Sequence, residues 1–370
     1  MTGFRRWALG QKIKPTIEAS IFMPTDADSP KPTAQSPESE ARSSGAFPSR
    51  LPPNPCSLNS TPCARAAFIG YDGSVAPRLI RKAVFPAAGL GTRVLPATKV
   101  LPKEMLPLVD KPIIQYGVEE AVRSGIRDVI LVTSRGKEII EEHFDEHAEL
   151  EALLEARGKS EELAAVRSAS NLVNLSSVRQ GQPLGLGHAI LVTADLVGAE
   201  PFAVILPDDV IDAEPAGLRQ MIDVFDEAGG PVVAVERVPR HAVGRYGIID
   251  ADEIRPRVYK IRDLVEKPRP DEAPSNLAII GRYVLTPDIF PELEATGFDA
   301  GGEIQLTDGL KRLLAKRPLY ACEIDGVRHD TGNRIGFICA SIYFALKRPD
   351  LADAVRDYLR SLDLEKALSE

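Results

Sequence analysis

The sequence has few cysteines, few histidines and no excess of positive charge. Its 370 residues include four Cys and five His, and 45 Lys and Arg stand against 53 Asp and Glu, a formal net charge of -8. So few cysteines exclude a small scaffold held together by disulfides. The acidic balance argues against a dedicated nucleic-acid-binding protein, which needs a basic surface. Small anionic ligands stay compatible with this composition, because a few local Lys and Arg residues suffice to bind them.

The chain also lacks a long apolar run. No stretch reaches the ~20 apolar residues that a membrane-spanning helix needs, so we expect no membrane partner. The longest run, 335–346, is interrupted by Ser341, which favours a helix buried inside the protein. A secretory signal is also disfavoured, since only three apolar residues follow Arg5 and Arg6. The cysteines form no CxxC pair, which favours a reduced protein in the cytoplasm.

The N-terminal part differs in composition from the rest. The first 80 residues hold 11 of the 30 prolines and nine Lys and Arg against six Asp and Glu, so the remaining 290 carry 36 against 47. Between Pro24 and Pro62 the chain has few large apolar residues, and it cannot bury enough surface to offset the entropy lost on ordering. We therefore predict a disordered extension over 1–75 and one folded domain, with C-terminal helices, over 76–370.

Short apolar runs alternate with segments of helical period from Lys82 onward. Runs rich in Val and Ile predict strands at 83–86, 128–133, 202–206, 231–236, 258–265 and 277–285. Helical periodicity predicts helices at 113–124, 214–228, 303–315, 334–346 and 351–362. This alternation predicts an α/β fold of Rossmann-like type, in which helices flank a mostly parallel mixed sheet. Ligands bind beyond the carboxyl ends of the strands in such sheets, so residues that follow strands are the candidate site residues.

The first predicted strand ends in a glycine-rich loop, Ala87-Ala88-Gly89-Leu90-Gly91-Thr92-Arg93. Glycines after a strand let backbone N–H groups approach a phosphate, although a tight structural turn is an alternative. The loop is not a Rossmann dinucleotide fingerprint, because Val94 occupies the third glycine position, and no Gly-Lys-Ser/Thr follows as in a Walker A loop. Arg93 and Lys103 add positive charges that favour phosphate binding.

The stretch 89–99, continued by Pro-Lys-Glu-Met-Leu-Pro at 102–107 and Val-Asp-Lys-Pro-Ile-Ile-Gln-Tyr at 109–116, resembles the signature of the sugar-1-phosphate nucleotidylyltransferase family. It is most similar to the bacterial members that use UTP and glucose 1-phosphate, and the similarity extends over 81–346. The resemblance implies the nucleotide-diphospho-sugar transferase fold, formation of UDP-glucose and diphosphate, a Mg²⁺ cofactor and assembly as a homodimer or homotetramer.

The resemblance places the nucleotide on the loop after the first strand. It assigns the leaving phosphates of UTP to Arg93, Lys103 and the loop backbone. The remaining binding residues that it implies in this stretch are Ala88, Gly89, Leu90, Gly91 and Glu104.

A second loop, 178–189, lies between a predicted strand and a predicted helix. Its Gln180 carries two amide hydrogens and a carbonyl oxygen, the groups needed to read the imide edge of uracil, although a surface glutamine would look the same. The resemblance implies that Gln180 and Gly185 hold the base. It gives His188 no catalytic task, and we expect that residue to pack within the loop.

Aspartates occur after one predicted strand and before one predicted helix. Asp208 and Asp209 close the strand at 202–206, and Asp330 precedes a predicted helix, where each could serve as a helix cap instead of a ligand. Mg²⁺ in phosphoryl chemistry takes one or two carboxylates together with substrate phosphates and waters. The resemblance implies that Asp208 and Asp330 supply them, with Asp209 as a substrate-binding neighbour.

The sugar half of the site is expected at the ends of the later strands. A glycine, Gly247, would let a pyranose ring approach the backbone, Glu266 could accept hydrogen bonds from sugar hydroxyls, and Lys267 could neutralise the sugar phosphate. The same sequence pattern would also occur at a strand end that faces solvent. The family resemblance is what implies these binding roles. It adds Asn276 as a further contact, whereas Glu303 is predicted to lie in the first turn of a helix.

Two other functions stay open alongside uridylyl transfer to glucose 1-phosphate. A related enzyme could use another nucleotide such as dTTP, since base choice depends on few contacts. A catalytically silent subunit that binds nucleotide sugars is a second alternative, although the chain retains every charged residue that the reaction needs. These are Arg93, Lys103, Asp208, Lys267 and Asp330.

Overall fold

A computed structural model describes residues 80–363 of the chain, so the predicted extension over 1–75 lies outside the described residues. The strands are β1 Lys82–Pro86, β2 Pro107–Leu108, β3 Lys111–Pro112, β4 Asp128–Thr133, β5 Asn174–Arg179, β6 Phe202–Ile205, β7 Asp209–Asp212, β8 Val232–Arg237, β9 Gly247–Arg255, β10 Val258–Glu266, β11 Leu277–Leu285, β12 Tyr320–Glu323 and β13 Val327–Asp330. The helices are α1 Ile113–Arg123, α2 Ile139–Glu142, α3 Ala148–Ala156, α4 Ser160–Ala169, α5 Gly185–Leu191, α6 Ala194–Val197, α7 Gly217–Ala228, α8 Ile289–Glu294, α9 Leu306–Leu314, α10 Arg334–Lys347 and α11 Ala352–Ser361.

Nine strands form one mixed sheet in the order β5-β4-β1-β6-β11-β8-β12-β10-β9. The predicted α/β fold with a mixed sheet flanked by helices is confirmed, but the sheet is not mostly parallel as predicted, since four of its eight neighbouring pairs are antiparallel. The parallel pairs are β5–β4, β4–β1, β1–β6 and β12–β8, whereas β11 runs antiparallel to β6 and β8, and β10 to β12 and β9. The loops after β1, β5 and β6 therefore leave from the same edge of the sheet, and the N-terminal end of the antiparallel β11 reaches that edge too.

Side chains alternate between the two faces of the sheet, and each face carries its own apolar cluster. On β1, Val84 belongs to one cluster, whereas Ala83 and Phe85 belong to the other. Helices α5, α8 and α9 cover the first face, and α1 and α7 cover the second. The strands are consequently buried from both sides. This explains why their sequences form continuous apolar runs.

Two predicted helices begin later than the sequence indicated. Helix α7 starts at Gly217 and not at 214, because Glu214 precedes Pro215 and a residue before proline is disfavoured in the helical region. Helix α9 starts at Leu306 with Gln305 in extended conformation, so the prediction that Glu303 lies in the first helical turn was wrong. The backbone of Ile304 is bound to Leu184 and Gly187 instead, which holds this segment out of the helix.

Helix α10 is far more exposed than its apolar composition indicated. Only Ala340 is buried in it, and Ile335 and Ile338 are 69% and 52% exposed, so the prediction of a buried helix was wrong. Cys339 of the same helix is exposed as well, whereas Cys322 is buried. Between residues 80 and 363, no helix is both long enough and apolar enough to cross a membrane.

A buried ion pair ties the sheet to two helices. Arg282 of β11 and Glu120 of α1 are each about 1% exposed and lie 2.7 Å apart, and Arg282 also donates to the carbonyls of Leu206 and Gly281. Glu120 in turn accepts the backbone N–H of Leu218 near the start of α7. Breaking part of this network leaves buried polar groups without partners, which is costly.

We expect Arg282→Lys to lower the free energy of unfolding by about 2 kcal/mol, because a lysine keeps the charge but cannot form the forked set of bonds. Urea unfolding measures the change. The matched control is Arg262→Lys, since Arg262 is 54% exposed and pairs with Asp250 and Asp252 at the surface; a change below about 0.5 kcal/mol is expected there. Equal effects at the two positions would contradict the role of the buried pair.

Candidate active site

Two adjacent cavities open beyond the carboxyl ends of β1 and β6. Each has a volume of about 570 Å³, and both include Arg93, Leu186, Leu206 and Asp208 in their walls. The loop cavity is lined by residues 88–94, Lys103, Gln180, Gly185 and Glu303. The strand cavity is lined by the start of β9, the end of β10, the middle of β11 and by β13, with Lys267 also in its wall. The shared wall places Arg93 and Asp208 where ligands in the two cavities would meet.

The glycine-rich loop is held in place from beneath. Gly91 has a left-handed backbone with φ 66°, and its carbonyl accepts a hydrogen bond of 2.7 Å from the hydroxyl of Thr98. The carbonyl of Ala88 accepts a bond from Ser134, and that of Ala87 accepts one from the ammonium of Lys137. With these carbonyls bound below, Gly89, Leu90 and Gly91 present their backbone to the loop cavity, the arrangement that favours phosphate binding.

Lys103 and Asp208 form the charged centre of the site. Their side chains make an ion pair of 2.6 Å, and both are about one quarter exposed or less. Burial alone would lower the pKa of Lys103, but Asp208 and Glu104 outweigh it, and the net pKa is raised. Burial would likewise raise the pKa of Asp208, yet Lys103 and Arg93 bring it below its ordinary value. Both groups are consequently charged near neutral pH.

Glu104 lies beneath the site and does not line either cavity. Its side chain is fully buried, and Oε2 lies 3.0 Å from the ammonium of Lys137, which is also buried. Burial raises the pKa of Glu104 and lowers that of Lys137, and each partner opposes the shift of the other. The predicted substrate contact by Glu104 is therefore not supported by this placement. Its side chain points inward because Lys137, from the loop after β4, offers it a charge partner there.

Gln180 closes the far end of the loop cavity. It follows β5, is 7% exposed, and its amide nitrogen donates to the carbonyl of Gly185 over 3.1 Å. Gly185 has φ 92°, and a Cβ at this position would lie 2.8 Å from the Cβ of Glu303 and 2.9 Å from the carbonyl oxygen of Ile304. Only glycine fits this close approach without strain. Glu303 thereby reaches the cavity wall, a position that helical periodicity could not indicate.

Asp208 and Asp330 approach each other across Gly332. A Cβ on Gly332 would lie 2.7 Å from Oδ2 of Asp208 and 3.2 Å from Oδ1 of Asp330. The register of β13 against β7 pairs Asp330 with Asp209 and so brings Asp330 to this place. The helix cap of α10 is Asn333, whose side chain accepts the N–H of Gly336, which removes the alternative that Asp330 caps this helix.

These two carboxylates fit a hard divalent cation. Within residues 80–363, no group of three or more His, Cys, Asp and Glu residues comes together as a metal cage. A pair of carboxylates is nonetheless the usual protein share for Mg²⁺, which takes its other ligands from substrate phosphates and water. Both carboxylates already face cations, Lys103 at 2.6 Å from Asp208 and Arg245 at 3.2 Å from Asp330, which marks the place as one where positive charge is stabilised.

The adjacent Asp209 has a different environment. Its side chain turns under the sheet edge, where Oδ2 accepts the N–H of Gly281 over 2.7 Å and Oδ1 accepts a bond of 2.5 Å from Arg328. Burial raises the pKa of Asp209, and Arg328 and Arg282 counteract part of that shift. Asp209 lines the strand cavity, but both of its oxygens accept hydrogen bonds from the protein. Its clearest effect is therefore to hold Arg328 in place.

The strand cavity carries Glu266 and Lys267 at the end of β10. Glu266 Oε2 accepts a bond of 2.8 Å from the hydroxyl of Thr307, and its Oε1 lies 3.1 Å from the ammonium of Lys267. Lys267 is 53% exposed and has an unusual positive φ of 44°, a strained backbone that places its side chain in the cavity wall. Gly247 pairs with Glu266 across β9 and β10, and a Cβ there would lie 2.9 Å from Thr307 Oγ1.

The structure brings most of the predicted site residues to these two cavities. Asn276 is an exception, because it lies at the start of β11, lines neither cavity and bonds through its carbonyl to Val238. Sequence reasoning assigned no role to Arg245 or Arg328, which both line the strand cavity. Arg328 lies two residues before Asp330 on β13. In a strand, residues two apart lie on the same face, and this period was the one sequence signal that could have placed both side chains together.

Comparisons with known proteins cover the same part of the chain. The profile of the family described as "Nucleotidyl transferase" matches residues 82–344. A "UTP--glucose-1-phosphate uridylyltransferase" of Staphylococcus haemolyticus is 49% identical over 283 residues, which cover 76% of this chain and 98% of that protein.

Solved structures agree with the sequence comparison. A crystal structure of UDP-glucose pyrophosphorylase complexed with UDP-glucose matches with a TM-score of 0.67 at 44% identity, covering 73% of this chain and 100% of the other. A UTP-bound UGPase from Acinetobacter baumannii matches with a TM-score of 0.72 at 40% identity, covering 77% and 100%. The range matched by the family profile contains every described residue that lines the two cavities.

Proposed function

Because the chain belongs to the nucleotidyl transferase family, we propose that it transfers the uridylyl group of UTP to glucose 1-phosphate, giving UDP-glucose and diphosphate. The observation that carries this proposal is the junction of the two cavities at Arg93 and Asp208. One cavity offers glycine backbone, Lys103 and Gln180, which suit a nucleoside triphosphate. The other offers a carboxylate and Lys267, which suit a sugar phosphate. The relatives named above act on UTP and glucose 1-phosphate or bind UDP-glucose.

The reaction requires positioning more than proton transfer. A phosphate oxygen of glucose 1-phosphate forms a bond to the α-phosphorus of UTP, and the bond from that phosphorus to the bridging oxygen of the diphosphate breaks. The attacking oxygen is already ionised near neutral pH, so no general base is needed. The protein must hold two anions in line and stabilise charge on the leaving group.

Each cation of the site has a role in this scheme. Lys267, in the wall of the strand cavity, holds the phosphate of the sugar as a point charge. Arg93 and Lys103, together with the backbone of 89–91, hold the β- and γ-phosphates that leave as diphosphate. Glu266, oriented by Thr307, accepts hydrogen bonds from sugar hydroxyls, and Gly247 lets the ring lie against the backbone.

We assign the divalent cation Mg²⁺ to Asp208 and Asp330. When bound, it would neutralise negative charge on the phosphates of the nucleotide and so reduce the repulsion between the two substrates. Lys103 pairs with Asp208 at 2.6 Å, so cation binding at Asp208 would free the ammonium for the triphosphate.

Turnover with a panel of nucleotides tests the proposal. Diphosphate release from glucose 1-phosphate would be measured with UTP, dTTP, ATP, CTP and GTP, with and without Mg²⁺. We expect UTP to be the preferred substrate and activity to require the cation. Preference for dTTP would identify the related thymidylyl activity, and no turnover with any of the five would favour the silent binding subunit.

The described residues of the proposed site all lie within the range matched by the family profile. Among residues 80–363, those that line the two cavities lie between 86 and 333, and the matched family range begins at residue 82. We therefore expect a protein that begins at residue 76 to keep the kcat and the KM values of the full chain. Loss of activity on this deletion would contradict the prediction. Location in the cytoplasm and assembly as a homodimer or homotetramer stay predictions, and light scattering would measure the latter.

A further inference from the structure

The side chain of Gln180 is held by two contacts that both use its amide nitrogen. Nε2 lies 3.1 Å from the carbonyl oxygen of Gly185 and 3.0 Å from Nδ1 of His188. The backbone N–H of Gln180 is bound to Thr133, so the whole residue is fixed at the end of β5. Neither side-chain contact uses Oε1, which is therefore available on the wall of the loop cavity.

The chemistry of the two partners determines which way the amide faces. A backbone carbonyl only accepts hydrogen bonds, so the atom that faces Gly185 must be the amide nitrogen and not Oε1. The second amide hydrogen then points to His188, which must accept it through an unprotonated Nδ1. The arrangement therefore requires the His188 tautomer that carries its hydrogen on Nε2.

The acceptors themselves are rigidly placed. Gly185 opens α5, and His188 lies three residues later, one turn above it, which brings both groups to the same side of Gln180. The segment around Ile304 fixes this turn, since Ile304 donates to Leu184 over 2.8 Å and accepts from Gly187 over 2.9 Å. The turn also passes close to this segment, since a Cβ at Gly185 would lie 2.8 Å from the Cβ of Glu303.

A fixed amide has a consequence for base recognition. Uracil carries a hydrogen on N3, which an acceptor such as Oε1 can bind, whereas N3 of cytosine is itself an acceptor and would be repelled. An unrestrained glutamine could rotate its amide by half a turn and present Nε2 to cytosine instead. The two bonds from Nε2 prevent this rotation, and a site with a fixed polar group rejects the wrong partner strongly.

We propose that His188 is a positioning residue, which fixes the amide of Gln180 so that the site accepts uracil and rejects cytosine. The inference rests on the proposed function, since it concerns the base of the same nucleotide. It does not distinguish UTP from dTTP, because both bases carry the same imide hydrogen. His188 acts through Gln180 and has no part in the reaction at phosphorus.

Three variants test the proposal through the split between KM and kcat. His188→Leu removes the acceptor, and we expect the KM for UTP to rise about 10-fold with kcat nearly unchanged, and the ratio of kcat/KM for UTP over CTP to fall about 10-fold. His188→Asn retains an acceptor oxygen close to the place of Nδ1 and should recover most of the selectivity. The matched control is His241→Leu, because His241 is exposed and lines neither cavity.

The outcomes separate this proposal from the proposed function. An unchanged ratio of UTP to CTP in His188→Leu would overturn the role of His188, as would an asparagine variant no better than leucine. Nitrogen NMR of the wild-type imidazole gives a test without any variant, since a proton found on Nδ1 at the pH of the assay would also overturn it. Failure of the wild-type protein to use UTP would instead contradict the proposed function.

Discussion

Lys267→Met is expected to lower kcat/KM for glucose 1-phosphate by about 10² to 10³. Methionine keeps the length of the side chain but removes the charge that would hold the attacking phosphate against the negative triphosphate, and electrostatic contributions of this kind have that size. Lys267 is half exposed and its contacts are with the adjacent Glu266 and Tyr246, so the fold should not depend on its ammonium. Steady-state kinetics with glucose 1-phosphate varied at saturating UTP measures the loss.

The control for this substitution lies on the same strand. Lys260→Met changes an exposed lysine of β10 that lines neither cavity, and we expect wild-type kinetics. The KM for UTP should change little in either variant, because Lys267 belongs to the strand cavity. A Lys267→Met enzyme with normal kcat/KM for glucose 1-phosphate would show that the sugar phosphate is held elsewhere, with Arg245 and Arg328 as the next candidates in that cavity.

Gly332→Ala is expected to lower activity at least about 10²-fold while leaving the fold intact. The new methyl group would lie 2.7 Å from Oδ2 of Asp208 and 3.2 Å from Oδ1 of Asp330, closer than a carbon normally approaches an oxygen. The carboxylates must then move apart, and a displacement of this order at reacting groups costs about 10²-fold. Gly332 has no positive φ, so alanine meets no backbone strain.

Measurements of stability and of cation requirement distinguish this effect from unfolding. The Tm of Gly332→Ala should stay close to that of the wild type, because the ends of two side chains can shift without disturbing the core. The Mg²⁺ concentration for half-maximal activity should rise. Gly297→Ala is the matched control, since no atom lies within 4 Å of its added methyl group. Unchanged activity at the wild-type Mg²⁺ requirement would contradict the assignment of Asp208 and Asp330 as ligands.

Contiguous parts of the site were predictable from the sequence. The loop 87–93 follows β1 directly, and its glycines and Arg93 reach the cavity because neighbours in the chain stay neighbours in space. Their position after strands made Gln180 and Asp208 candidates, but a surface glutamine or a helix cap would look the same, and the family resemblance implied their roles. Asp330 needed the family resemblance, since its partner Asp208 is far away in the chain and no local pattern connects the two.

Positions that depend on distant partners were not predictable. Glu104 follows Lys103 immediately, yet it turns away from the cavity toward Lys137, 33 residues later. Glu303 was assigned to a helix from local periodicity, but the bonds of Ile304 to Leu184 and Gly187 hold it in the cavity wall. Helix α10 was expected to be buried because it is apolar, and apolar composition alone does not indicate whether the same chain covers a helix.

By itself, the sequence determined the α/β fold, the edge of the sheet that carries the site and the family to which the chemistry belongs, because all three follow from local periodicity and contiguous motifs. The resemblance already separated Asp208 from Asp209, but only the tertiary structure shows what makes these two adjacent acids different. Asp208 points to the cavities and pairs with Lys103, whereas Asp209 is turned under the sheet by Gly281 and by Arg328, 119 residues further along the chain. The two carboxylates have the same chemistry, and partners distant in the chain gave them different environments.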